Sequence, residues 1–206
     1  GGERLAERHR MTAVRIGLLG GTFDPPHAAH LALAQCAIQD LGLQSLRVLP
    51  TGNPWHRAFQ PSLATHRVAM CRMAFAQIPQ ALVDDRETRR EGPTYTIDTV
   101  RELRTEFPQA EWFLIIGADQ ARRFQTWKNW EELLGLVHLV VADRNPEAPQ
   151  WQNTPMIQAR RLPFEPMDIS ATAIRHRLSQ GLSVDGLHPL VQEYVQRHQL
   201  YLSQTP

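Results

Sequence analysis

The strongest constraint on this chain is an apolar run, Val14-Arg15-Ile16-Gly17-Leu18-Leu19, that passes directly into Gly20-Gly21-Thr22-Phe23-Asp24-Pro25-Pro26-His27-Ala28-Ala29-His30. A run of that length closing on Gly-Gly reads as a buried strand entering a tight turn. Proline is pre-set for the first helical turn, so Asp24-Pro25-Pro26 predicts that a helix opens there. Histidines three apart on a helix share one face. Unpaired backbone N–H groups and the helix dipole then face whatever lies beyond the strand, an arrangement suited to a phosphate chain. Taken alone, the motif also fits a tight strand-to-helix turn with solvated histidines. A zinc site is disfavoured, because His-x-x-His has no third ligand nearby and no cysteine cluster.

Apolar runs alternate with helix-period segments along the rest of the chain. Strands are expected at Val14–Leu19, Leu46–Leu49, Ala81–Val83, Trp112–Ile116, Val137–Val141 and, more weakly, Ile157–Leu162. Helices are expected at His30–Leu41, Leu63–Ala76, Ile97–Phe107, Ile169–Leu178 and Pro189–Leu200. This order predicts an α/β fold: a Rossmann-like, doubly wound parallel sheet with helices on both faces. Residues 11–206 read as one domain and 1–10 as an extension ahead of it. The proline-rich stretch Asn145–Pro155 reads as a surface loop. In such sheets ligands bind beyond the strand C-termini at the switch point, so the loops after the first, second and fourth major strands should converge.

Composition excludes several classes. The chain has 206 residues, with 22 Lys and Arg against 21 Asp and Glu, so no basic field argues for a nucleic-acid partner. No run approaches the roughly 20 apolar residues of a membrane helix. Residues 1–10 lack the apolar centre of a signal peptide. Cys36 and Cys71 sit in helical patterns and read as small buried hydrophobes in a reducing, cytoplasmic setting.

Four further segments fall on the expected crevice. Asn53-Pro54-Trp55-His56-Arg57 follows the second strand and offers an amide, an imidazole and a guanidinium, or simply a surface loop. Pro93-Thr94-Tyr95-Thr96-Ile97-Asp98-Thr99 opens a helix whose first N–H groups favour a carboxylate, and ordinary threonine capping can coexist with that. Gly117-Ala118-Asp119 ends the fourth strand, where an acidic side chain can meet a ribose or base. Beyond it Phe124 and Trp130 read as core residues at helical spacing, whereas Trp127 is suited to stack on a ligand ring. Ile169-Ser170-Ala171-Thr172-Ala173-Ile174-Arg175 combines an N-cap, a second hydroxyl and a guanidinium one turn on. It reads either as a second phosphate cradle or as a capped helix with a solvated arginine.

In order and spacing, these five motifs resemble those of the bacterial nicotinate-nucleotide adenylyltransferases, members of the nucleotidyltransferase superfamily with a T/H-x-G-H signature. The resemblance runs from Val14 to about Tyr201. Two departures stand out: Ala29 occupies the place of a usual glycine, and Trp55 and Arg57 replace proline and lysine. The resemblance implies that Gly20, Gly21, Thr22, Phe23, His27, His30, Gly117, Asp119, Ile169, Ser170, Thr172 and Arg175 bind ATP. His27, His30 and Arg175 would be catalytic. Asn53, His56, Arg57, Thr94, Tyr95, Thr96 and Trp127 would bind nicotinate mononucleotide. No metal would be held by protein ligands, with Mg²⁺ carried on the ATP phosphates. A histidine with an unshifted pKa near 6.5 is expected at the phosphates, donating in either charge state. A monomer or homodimer is expected. Phosphopantetheine adenylyltransferases share the first motif, but the Thr94–Thr99 segment and Trp127 do not resemble a pantetheine site. A non-catalytic dinucleotide sensor would not need His27, His30 and Arg175 together. A class I synthetase fragment would carry a basic stripe, which this chain lacks.

Overall fold

A computed structural model describes residues 13–52, 62–143, 159–165 and 167–202. The elements are β1 (Arg15–Gly21), α1 (Ala28–Leu41), β2 (Ser45–Pro50), α2 (Ala64–Phe75), β3 (Ala81–Val83), α3 (Thr96–Glu106), β4 (Glu111–Gly117), α4 (Ala118–Arg122), α5 (Trp130–Leu136), β5 (His138–Asp143), β6 (Arg160–Pro163), α6 (Ala171–Ser179) and α7 (Pro189–Arg197). Two 3₁₀ turns are described: Arg86–Arg89 between β3 and α3, and Phe124–Thr126 between α4 and α5.

The strands form one sheet in the order β3-β2-β1-β4-β5-β6, and each neighbouring pair is parallel. Chain order runs one way from β1 to β2 and β3, then restarts on the other side of β1 with β4. The switch point therefore lies between β1 and β4, where the doubly wound reading places a ligand crevice.

Strand alternation divides the apolar residues between two cores. Leu19, Leu46, Val48, Phe113, Ile115 and Val140 face one side, against α1, α2, α6 and α7 through Ala37, Met70, Ile174 and Val191. Ile16, Leu18, Trp112, Leu114, Ile116, Leu139 and Val141 face the other, against α3 and α5 through Val100, Leu103 and Leu133. Gly17 in β1 is required by the first core: a Cβ there would stand 2.6 Å from Cδ1 of both Leu43 and Leu46.

Several expectations shift. The prolines do not lie in the first turn of α1. His27 is the residue before that helix, extended at φ −144° and ψ 179°, and Pro26 precedes it. The segment holding Phe124, Trp127 and Trp130 is not one helix. Asn129 turns left-handed at φ 54° and separates the 3₁₀ turn from α5. Phe124 is fully buried as expected, and Trp130 packs at the core edge. Cys71 is buried, but Cys36 is only half-buried; both are free thiols. Among the described residues no helix is long and apolar enough to cross a membrane. Residues 1–10 and Asn145–Pro155 lie outside the described residues.

Candidate active site

β1 ends at Gly21, and the chain turns through Thr22 to Pro26 before α1. Phe23 makes that turn at φ 52° with its ring buried, edge-on to His30 at 4.8 Å and to Phe75 at 6.0 Å. Gly21 leaves room for this ring, since a Cβ there would lie 3.1 Å from Phe23 Cζ.

The histidine pair is built from the backbone. His27 N–H donates to His30 Nδ1 at 3.0 Å, and the two rings stand 3.9 Å apart. An Nδ1 that accepts leaves Nε2 carrying the proton, so neutral His30 presents an N–H donor from its far side. Burial lowers the His27 pKa from 6.5 to about 4. Burial, reinforced by the neighbouring His27, lowers that of His30 to about 3. The expectation of an unshifted histidine is thus overturned: desolvation keeps both rings neutral at physiological pH. His27 Nδ1 is buried without a hydrogen-bond partner among the described residues.

Arg175 on α6 reaches the same turn. Its Nη1 donates to the Asp24 carbonyl at 3.0 Å and its Nη2 to Thr172 Oγ1 at 3.2 Å. The reading of a solvated arginine therefore fails: the residue is half-buried and docked. Ser170 caps α6 by accepting from Ala173 N–H at 3.3 Å. Ile169 packs on the first core.

Two buried groups that sequence reasoning missed hold these loops together. Arg67 of α2 is fully buried. Its Nη1 donates to the carbonyls of Thr22 at 3.0 Å and Thr51 at 2.8 Å, and its Nε to that of Ser62 at 2.9 Å. One guanidinium thus spans the C-terminal ends of β1 and β2. Asp24, 2 % exposed, is the second. Its carboxylate accepts from Ser62 N–H at 2.9 Å and from the Tyr201 hydroxyl at 2.6 Å. Arg67 carried a readable signal, since it shares a face with Met70, Cys71 and Ala74, all buried. A charge inside an apolar stripe marks a buried role. Nothing local marks Tyr201.

On the other side of the crevice Tyr95, not Thr94, precedes α3, and no side chain caps that helix. Thr94 Oγ1 instead donates to the Glu87 carbonyl at 3.4 Å, so threonine capping is not the role of this motif. The N–H groups of Thr96 and Ile97 head the helix without intrahelical acceptors. Glu87 is buried beneath and accepts from Thr99 Oγ1 at 3.0 Å, while Arg90 Nη1 donates to the same hydroxyl at 2.7 Å. Burial raises the Glu87 pKa against the pull of Thr99 and Arg90. Gly52 brings the end of β2 onto this loop: a Cβ there would sit 2.8 Å from the Glu87 carbonyl. Lys128 lies 4.5 Å over the Tyr95 ring, which places the Trp127 segment beside it. Trp127 is half-buried, 5.0 Å from Phe124.

Gly117 closes β4 beside β1, with room for a Cβ. Asp119 is exposed and paired with Arg122. Asn53, His56 and Arg57 lie outside the described residues. Among the described residues no three His, Cys, Asp or Glu side chains gather as metal ligands. The Asp24 carboxylate, three residues before His27, already serves two donors. A hollow of about 630 Å³ opens at the opposite, N-terminal end of the strands, around Arg15, Glu111 and His138, and takes no part in this arrangement.

The cytidylyltransferase-like family matches residues 18–177. A protein of Albidiferax ferrireducens, named probable nicotinate-nucleotide adenylyltransferase, is 44 % identical over 91 % of this chain and 98 % of its own. A Bordetella petrii protein of the same name is 46 % identical with the same coverage. Among solved structures, Plasmodium falciparum nicotinic acid mononucleotide adenylyltransferase complexed with NaAD superposes with a TM-score of 0.73 at 18 % identity, covering 91 % of this chain and 97 % of that one. At that identity the likeness speaks for the fold.

Proposed function

The chain belongs to the nicotinate-nucleotide adenylyltransferases, and from that premise we propose how its crevice divides the work. The reaction transfers the adenylyl group of ATP to nicotinate mononucleotide, giving nicotinate adenine dinucleotide and pyrophosphate for NAD biosynthesis. A 5′-phosphate oxygen of the mononucleotide attacks the α-phosphorus of ATP. The new O–P bond forms as the bond to the β-phosphate oxygen breaks, and pyrophosphate carries away the electron pair. The nucleophile is already an anion, so no base is required, and catalysis is positioning and charge stabilisation.

The observation that carries the assignment is the His27 N–H to His30 Nδ1 bond, which aims a neutral Nε2–H donor from the start of α1. In this reading His30 donates to the α-phosphate. His27, with a buried Nδ1 still unpartnered, and Thr22 hold the neighbouring phosphates. Gly20, Gly21 and Phe23 shape the turn that lets the chain approach. Arg175, with Ser170, Thr172 and Ile169 at the head of α6, receives the leaving pyrophosphate. Gly117 and Asp119 line the rim for the adenosine. Mg²⁺ travels on the triphosphate, where it offsets phosphate charge. A donor set of imidazoles, hydroxyls and backbone N–H groups fits that better than a protein-held cation.

The mononucleotide lies across β2 and α3. Its carboxylate meets the uncapped N–H groups at Thr96, with Thr94 and Tyr95 beside it and Trp127 against the ring. Asn53, His56 and Arg57, which lie outside the described residues, are assigned to the mononucleotide on the family resemblance alone, Asn53 and Arg57 to its phosphate. A helix start supplies donors, so it favours the acid over the amide. The reading extends to a cytoplasmic enzyme, in keeping with the free thiols Cys36 and Cys71.

Pyrophosphate release is measured with Mg-ATP and either nicotinate or nicotinamide mononucleotide. Release with the acid and little with the amide is expected. Equal release with both discards the carboxylate contact at Thr96, and release with neither discards the substrate assignment.

A further inference from the structure

Tyr201 stands near the C-terminal end of the described chain, 177 residues from Asp24, and its hydroxyl donates to Asp24 Oδ1 at 2.6 Å. Tyr201 is 5 % exposed and its ring belongs to the first core. Asp24 Oδ2 accepts from Ser62 N–H. The carbonyl of the same Asp24 accepts from Arg175 Nη1. The aspartate is thus fixed through its side chain by two donors, and through its main chain it fixes the guanidinium assigned to the leaving group.

We propose that Tyr201 is a positioning residue: by holding the Asp24 carboxylate it sets the carbonyl against which Arg175 is aimed. The inference rests on the phosphate role given to Arg175 above. A buried carboxylate that loses one of its two donors pulls its peptide towards other partners, and the Asp24 carbonyl moves with that peptide. Arg175 also donates to Thr172 Oγ1 on its own helix, a bond that does not tie it to the β1–α1 turn. Burial, together with the nearby Asp24 charge, raises the Tyr201 pKa, so the hydroxyl remains a donor throughout the working range. Tyr201 touches no reacting atom in this account. Its contribution is therefore to kcat through geometry, since small displacements of a charge-stabilising group cost rate more than substrate affinity.

The test is Tyr201→Phe, which keeps the buried ring and removes only the donor. We expect kcat to fall roughly tenfold, the size of one lost hydrogen bond to a charged group, with both KM values within about twofold. Against an Arg175→Lys background the same change should cost far less, because the two residues act in one chain. In substrate-free protein the Arg175 side-chain N–H resonance, assigned by its loss in Arg175→Lys, should shift. Asp24→Asn, which keeps an acceptor but weakens both bonds, should reproduce the kcat loss and the resonance shift; it serves if Tyr201→Phe fails to fold. An unchanged kcat, a loss of equal size in the Arg175→Lys background, or an unmoved Arg175 resonance overturns the proposal. A wild-type protein inactive on nicotinate mononucleotide overturns the substrate reading instead, and the resonance shift then still decides the positioning claim.

Discussion

His27 and His30 are joined by a bond that uses the backbone of one and the ring of the other: the His27 N–H ends on His30 Nδ1 at 3.0 Å. That bond completes one of the N–H groups that a helix start leaves unpaired. It also fixes which ring nitrogen of His30 carries the proton. Spacing alone puts two imidazoles near each other; the bond gives one of them an orientation and a tautomer. Protonating His30 at Nδ1 would set two donors against each other, which agrees with burial in lowering its pKa to about 3.

Both rings being neutral well above their lowered pKa values, activity should hold level between about pH 7 and 8.5, with no histidine step. A sharp loss over that interval in a kcat profile would mean that a charged imidazole is needed. Stability responds on the acid side. The unfolded chain takes up protons near pKa 6.5, whereas the folded His27 resists until about 4. Between those values the unfolded state binds more protons, so stability is complete above about pH 6.5 and falls as the pH drops towards 4. A series of Tm measurements across that window should show the slope, reduced in His27→Gln.

In the proposed reading His30→Ala removes a preorganised donor at the reacting phosphorus. Such donors contribute roughly 10²–10³ in kcat. That loss is expected with a much smaller change in the KM for ATP, because ground-state phosphates keep Thr22 and Arg175. The expected cradle of free N–H groups at the head of α1 is not there, since the Ala28 N–H donates to the Gly186 carbonyl at 2.8 Å and the His27 N–H to His30. His30→Gln restores an N–H on a longer, freer arm and should recover part of the rate. If instead the KM for ATP rises in proportion while kcat is kept, His30 binds substrate and does not favour the transition state.

Gly20 and Gly21 are adjacent but not equivalent. A Cβ on Gly21 falls 3.1 Å from the Phe23 ring, which is wedged between His30 and Phe75. At Gly20 the nearest atom would be the Leu49 carbonyl oxygen at 3.8 Å, an ordinary contact. Gly21→Ala should cost about 1–3 kcal/mol as overpacking, and displacing Phe23 should disturb His30 and lower kcat. Gly20→Ala should change stability by less than about 0.5 kcal/mol. Urea unfolding of the pair decides this, and equal midpoints would show that Phe23 moves aside freely.

Sheet and helices were legible because burial on both faces leaves uninterrupted apolar strands such as Trp112–Ile116, and these contrast with amphipathic helices. The glycine turn and the histidine pair of the first motif were legible because Gly-Gly and the histidine spacing are local. What stayed hidden depends on partners far along the chain. Proline chemistry pointed to a helix opening at Asp24-Pro25-Pro26, yet His27 spends its N–H on His30 and α1 starts only at Ala28. The histidine pKa values depend on burial, which spacing does not report. Tyr201 meets Asp24 across 177 residues, beyond any periodicity. Arg67 was the recoverable omission, since its place in the apolar stripe of α2 was visible.

Arg67 gives the most direct test of how the two strand ends are held. Arg67→Met roughly keeps the volume but takes away the donors to Thr22, Thr51 and Ser62. Each buried carbonyl left without its donor costs about 1–3 kcal/mol, and losses at one site are not fully additive. A destabilisation of about 3–5 kcal/mol is expected, as for a broken buried charge site. Arg67→Lys should lie between, because one ammonium can serve the Thr22 and Thr51 carbonyls that share Nη1 but not Ser62 as well. In the proposed division of the crevice, the carbonyls lie on the ATP side at Thr22 and on the mononucleotide side at Thr51. A folded Arg67→Lys protein should therefore lose kcat while each substrate alone still binds, since in-line attack requires both subsites in register. Urea midpoints for the two variants, with calorimetric affinities for each substrate, test both statements. Arg67→Met matching the wild-type midpoint would show that the guanidinium does not hold the strand ends.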